Sequence, residues 1–164
     1  MCSSDLSSQI SISISSMNIK QLSPSKSGRY KQGYVDPAAC KKLFPSLSNA
    51  PIIYRSSYEL KFITWLESSD KVKHWGSECF YIPYTYVDGT THKYYPDYFV
   101  EFVDGTKMVV EIKPYSQTQR PINEHSWVAK EYMKNMCKWK ATQEFCKSKG
   151  FVFKILTEKT IKQL

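Results

Sequence analysis

Two Asp-Gly pairs, Asp88-Gly89 and Asp104-Gly105, each separate runs rich in aromatic and β-branched residues. Asp-Gly supplies the positive φ that tight hairpin turns demand, so the flanking runs are driven into antiparallel pairs. Three strands follow: Cys79 to Val87, Tyr94 to Phe102 and Lys107 to Lys113. Together they predict an antiparallel meander. Pro83 marks the first as an edge or bulged strand, because proline cannot donate to a ladder.

Helices bracket the meander. Residues 54 to 69 read as a helix capped by Ser56 or Ser57, with Phe62, Ile63 and Leu66 on one face. Glu59 falls on that same apolar stripe. A carboxylate there is costly unless a positive group meets it, although first-turn Glu is also favoured simply by the helix dipole. A second helix is expected from Ser126 to Lys149, stopped by Gly150. Met133, Cys137, Ala141 and Phe145 recur at i+4 and are assigned to the core, while Lys130, Lys134 and Lys138 form a parallel cationic row. Phe151 to Leu156 is a final strand, expected beside the third through a right-handed crossover. The predicted class is α/β, a mixed four-stranded sheet flanked by helices.

The chain has 164 residues, 41% of them hydrophobic, enough for one domain with an ordinary core. Residues 1–27 form a serine-rich tail. Within it Ile10, Ile12 and Ile14 alternate with serine, so an edge strand for a neighbouring protein is the alternative reading. Residues 28–164 form the domain. It starts with an irregular arm over 28–53, punctuated by Gly and Pro, with one short helix expected from Pro37 to Phe44. Lys26, Arg29, Lys31, Lys41 and Lys42 interleave there with Tyr30 and Tyr34. They read either as a solvated wrap or as a DNA-contacting arm.

The formal net charge of +8 favours polyanionic partners, nucleic acid first. The five cysteines are scattered and include no CxxC, which argues against a disulfide framework or zinc ribbon and for free thiols in a reducing compartment. No apolar run approaches membrane-spanning length, and the N-terminus lacks a secretory pattern. The expected location is the cytosol, or a particle assembled there, with no membrane partner.

Chemistry concentrates in Pro96-Asp97 and, one strand on, Glu111-Ile112-Lys113. Strand alternation puts Glu111 and Lys113 on one face and Val110 and Ile112 on the other. Carboxylates of Asp97 and Glu111 can grip Mg²⁺, for which Mn²⁺ is expected to substitute. Such an ion stabilises charge on a phosphodiester and acidifies a bound water. Lys113 can orient that water or hold phosphate, and Glu59 can complete the site. The bland alternative is a surface Asp and an exposed Glu-Lys strand end. A plain two-residue turn at Asp104-Gly105 would put Asp97 opposite Ile112, on the wrong face, so a one-residue slip or a bulge near Pro96 is required. Arg55, Lys93, Arg120, Lys138 and Lys140 are candidate phosphate contacts. His92 and Glu78 are lesser candidates. Tyr94, Tyr95 and Tyr98 are expected to pack.

From about residue 28 to 160 the chain resembles the head-completion nucleases of T-even-type tailed phages and, more distantly, transposon-end nucleases. The resemblance rests on Ile53-Tyr54-Arg55-Ser56-Ser57-Tyr58-Glu59, Tyr94-Tyr95-Pro96-Asp97-Tyr98, Val110-Glu111-Ile112-Lys113-Pro114, Lys138-Trp139-Lys140-Ala141 and Leu156-Thr157-Glu158. Tyr58, where Trp is usual, and Gly76 in Trp75-Gly76-Ser77-Glu78 depart from the pattern. The resemblance implies a PD-(D/E)xK endonuclease with a restriction-endonuclease-like core. It further implies Glu59 as the helical acid, Asp97 and Glu111 as metal ligands, Lys113 as the catalytic lysine, and Lys138 and Lys140 on a basic helix. It also implies work on DNA in head completion before tail joining, with portal or neck proteins as partners, in the virion or the host cytoplasm. Two alternatives stand beside it: a mainly structural virion protein at the capsid-tail junction, and a transposon-end or junction nuclease.

Overall fold

The computed structural model describes residues 19–21, 32–47 and 51–164. Ile10, Ile12, Ile14, Lys26, Arg29, Tyr30 and Lys31 lie outside the described residues. The fold is mixed α/β, with a four-stranded mixed sheet in the order β4 (Val72–Ser77), β7 (Tyr98–Phe102), β8 (Lys107–Ile112), β9 (Val152–Leu156). The chain divides into two compact units, one formed by the described residues up to Gly76 with Glu101–Asp104 and Leu164, the other by Ser77–Val100 and Gly105–Gln163.

In the first unit the arm is more regular than the sequence suggests, and three residues of the tail pair with it. β1 (Ile19–Gln21), β2 (Gly33–Val35) and β3 (Ile52–Tyr54) form a small antiparallel sheet. Val35, Ile52 and Tyr54 are buried. The helix expected from Pro37 to Phe44 is instead one 3₁₀ turn, Pro37–Ala39, capped by the Asp36 side chain on the Ala38 amide at 2.9 Å. The following residues are drawn straight by pairing with β4: Trp75 N–H donates to Lys42 O, and Phe44 N–H donates to Trp75 O, both at 2.9 Å. An extended segment bonded in this way cannot also close helical turns. Lys42 turns inward, its ammonium 2.5 Å from Ser69 O. Glu67 fastens the arm, accepting from the amides of Lys41 (2.8 Å) and Lys42 (3.1 Å) and from the Trp75 indole (2.7 Å).

Helix α1 spans Ser57–Ser68. Ser56 is its N-cap and takes the Glu59 amide at 3.1 Å. Glu59 returns the bond: its carboxylate accepts from Ser56 Oγ at 3.2 Å and from the Arg55 amide at 3.0 Å. This reciprocal arrangement is a variant of the capping box, with the amide of Arg55 in place of the N-cap amide. Phe62, Ile63, Thr64 and Leu66 are the buried residues of α1.

In the second unit β5 (Ile82–Thr85) and β6 (Thr91–Tyr94) form a hairpin, with Tyr84 opposite His92 and Ile82 opposite Tyr94. Gly89 has φ of 84°, as the Asp-Gly reading requires. The expected meander is divided, because the run from Tyr94 to Phe102 breaks at Tyr95-Pro96-Asp97. Its first part completes the hairpin, and its second becomes β7. The place expected for Cys79 to Val87 in the main sheet is taken by β4, whose alternation was masked by Lys73 and Gly76.

Helix α2 runs Trp127–Lys149, capped by Ser126 and ended by Gly150 at φ 69°. β9 then pairs parallel with β8, Glu111 opposite Ile155. The buried stripe of α2 is Ala129, Asn135, Trp139, Thr142 and Cys146, not the expected row. Met133 is exposed. Cys137, Ala141 and Phe145 are half-buried against the Ile82, Tyr84 and Tyr94 cluster. The 3.6-residue period carries both stripes, and the hairpin draws the second onto itself. A short α3, Glu158–Ile161, follows β9.

Candidate active site

Asp97 lies in a bend between β6 and β7, just before β7 begins. It therefore escapes the alternation that appeared to send it to the wrong face, and Pro96 supplies the required break. Its Oδ2 accepts the Ile112 amide at 2.7 Å. Its backbone carbonyl accepts the amide of Glu78 at 3.1 Å. Glu78 reaches that position with φ of 46°, a left-handed conformation costly for a residue with a Cβ.

Glu111 occupies the penultimate position of β8 and is 1% exposed. Its Oε1 is 3.0 Å from Lys113 Nζ, and its Oε2 accepts the hydroxyl of Tyr94. Burying a carboxylate requires such compensation. Lys113 just follows β8, and its amide donates to Leu156 O at 3.0 Å. Asp97 thus meets the peptide between Glu111 and Lys113, and the ion pair of Glu111 with Lys113 puts those two on one face, as alternation along β8 predicts.

The electrostatics of two neighbours register this concentration of charge. Burial pushes the Tyr94 phenol far up, and the Glu111 charge, its hydrogen bond and the Asp97 charge add to that. One hydroxyl therefore senses both carboxylates. Burial lowers Lys138, as does Lys113, while Glu111 opposes them. Its ammonium sits over the Tyr94 ring at 5.2 Å and the Tyr84 ring at 6.0 Å. Tyr94 was expected only to pack. Its one sequence signal is its position at a strand end just before Asp97.

The other candidates are more dispersed. Lys93 stands on exposed β6, 4.6 Å from the Tyr81 ring. Lys140 is exposed on α2. Arg120 is exposed and paired with Glu124 at 2.5 Å. His92 stacks on Tyr84, ring centroids 5.5 Å apart. Arg55 and Glu59 belong to the first unit, at the start of α1. Among the described residues no group of three or more His, Cys, Asp or Glu side chains is assembled for a metal, and no helix is long and apolar enough to cross a membrane.

Residues 69–158 match the family model described as TnsA-like endonuclease N terminal. The chain belongs to this endonuclease family. The match contains Asp97, Glu111 and Lys113, and it starts after Glu59. The chain is also similar to the head completion nuclease of Enterobacteria phage T4, 35% identical over 124 residues that cover 69% of this chain and 83% of that protein.

Proposed function

We propose that this chain is a Mg²⁺-dependent DNA endonuclease of the PD-(D/E)xK type that acts in phage head completion before tail joining. The observation that carries the reading is the convergence of Asp97, Glu111 and Lys113 on one stretch of β8. The donor chemistry suits a hard divalent cation. Two carboxylates act on a single Tyr94 hydroxyl, and Mg²⁺ is commonly held by one or two carboxylates with water and phosphate oxygens completing its shell.

Asp97 and Glu111 would hold the ion, which supplies charge stabilisation at the phosphodiester and a more acidic water. Around it the chain's own groups are fixed in place. The Ile112 amide orients Asp97, and the Tyr94 hydroxyl and Lys113 orient Glu111. Lys113, a quarter exposed, would hold a phosphate oxygen or align the attacking water. Glu59 enters the proposal from the sequence resemblance, as the third acid. Mn²⁺ is expected to replace Mg²⁺. The role in head completion is supported by the name of the phage T4 relative; portal or neck proteins as partners, and the virion or host cytoplasm as location, enter the proposal from the sequence resemblance.

The test is cleavage of plasmid and linear DNA with Mg²⁺ or Mn²⁺ by wild type, Asp97→Ala and Lys113→Ala. Cutting by wild type alone, with all three folded, supports the reading. An inert wild type across metals and DNA forms overturns it.

A further inference from the structure

A groove of about 570 Å³ opens in the second unit between α2 and the β5–β6 hairpin. Lys130, Lys134 and Lys138 line its helical wall, and Lys93 and His92 stand on the hairpin. Asp88 and Glu131 also reach it, so four lysines face two carboxylates. Asp88 is occupied by its turn, accepting from both the amide and the hydroxyl of Thr90. The lysines recur at i+4, a step of about 6 Å along the helix, comparable to one nucleotide step of a single strand. His92 is exposed and lies nearly parallel on Tyr84, at 30°, which leaves its outer face open to a planar partner. Tyr86 flanks it. Alternating cations and rings are the chemistry of single-strand binding. The volume is that of a small-molecule site, enough for a nucleotide. At one end Lys138 stands 5.2 Å from the ring of Tyr94, whose hydroxyl donates to Glu111, so the groove adjoins the proposed catalytic stretch.

We propose that this groove holds a single strand of DNA, its phosphates along Lys130, Lys134 and Lys138 and a base against His92. The assignment deepens the nuclease reading and rests on it for the identity of the nucleic acid. The enzyme would then engage DNA whose strands are already parted beside the scissile phosphate, as at a flap, gap or end.

The test is binding by the full chain, in chelator, of a fluorescent oligothymidylate of about 15 nucleotides and of a duplex of equal length. Expected is tighter binding of the single strand. Lys130→Ala/Lys134→Ala should weaken it by about tenfold or more and lower the slope of log affinity against log salt by about 1.4. His92→Ala should weaken it by about fivefold or more. Lys147→Ala/Lys149→Ala, in the last turn of the same helix, should leave it unchanged. Equal binding of the duplex, equal effects of the two lysine pairs, or wild-type binding by the groove variants overturns the proposal. Plasmid cleavage assayed in parallel separates the two readings. Wild type that cuts while groove variants bind normally sinks the groove alone. Wild type that never cuts but binds through Lys130 and Lys134 sinks the nuclease reading alone.

Discussion

The backbone amide of Ile112 donates to the carboxylate of Asp97 at 2.7 Å, so one strand-end peptide positions the acid of the preceding bend. That contact separates the charge of Asp97 from its role as an acceptor. Asp97→Asn keeps an oxygen for the amide and should melt near wild type, with cleavage reduced by about a hundredfold or more, the scale for losing a charge-stabilising group. Asp97→Ala should be equally inactive and about 1 kcal/mol less stable. Thermal melts beside a plasmid assay distinguish them. An active Asn variant would remove Asp97 from the proposed chemistry.

Tyr94→Phe deletes the hydroxyl that meets buried Glu111 while leaving the ring under Lys138. Stability should fall by about 1–3 kcal/mol, the cost of depriving a buried acceptor, and cleavage should fall with it. Denaturant unfolding reads the first effect. No change in midpoint would show that water replaces the hydroxyl without loss.

Glu59→Gln tests the two meanings of that residue. Gln can also close a capping box, so the fold should keep its melting temperature. If cleavage nevertheless collapses, Glu59 is a member of the site. If cleavage persists, it is only the helix cap that its bonds to Ser56 and Arg55 describe.

Gly150→Ala places a Cβ at φ 69°. Nothing lies within 4 Å of that atom, so backbone strain is the only cost, about 1 kcal/mol. Melting should fall accordingly and DNA cleavage should not change. A larger loss would mean that the helix end carries tertiary contacts.

Alkaline stability should depend on Cys40. Burial, helped by the negative charges of Glu67 and Asp36, pushes its thiol from 9.0 to about 12. The native state therefore keeps a proton that the unfolded chain gives up. Its contribution is complete below pH 9.0 and is lost as pH rises toward about 12. Urea midpoints from about pH 8 to about pH 11 should fall less steeply in Cys40→Ala than in wild type. Parallel slopes would refute this.

Local chemistry made much of the molecule legible. Ser126, Gly150, Ser56 and both Asp-Gly turns act on their own neighbours, and the structure places caps and turns at those residues. Glu111 and Lys113 share a face because alternation along β8 is local too. What escaped was decided between distant segments. β4 is a strand because partners claim its backbone, although Lys73 and Gly76 blur its pattern. The arm is extended because Trp75 bonds Lys42 and Phe44. The bend that frees Asp97 from strand alternation required knowing that one apparent run serves two sheets. The bond from Tyr94 to Glu111 joins residues on different strands, and no spacing rule announces it.

The amide of Lys113 is held by Leu156, in a strand the ribosome makes only after all of α2. Parallel pairing across a long crossover is intrinsically slow to form. A nascent chain that already carries Asp97, Glu111 and Lys113 therefore lacks the last clamp on its lysine. Synthesis thus has an order of events built into it: the proposed cutting centre gains the clamp on its lysine only once β9 has been made.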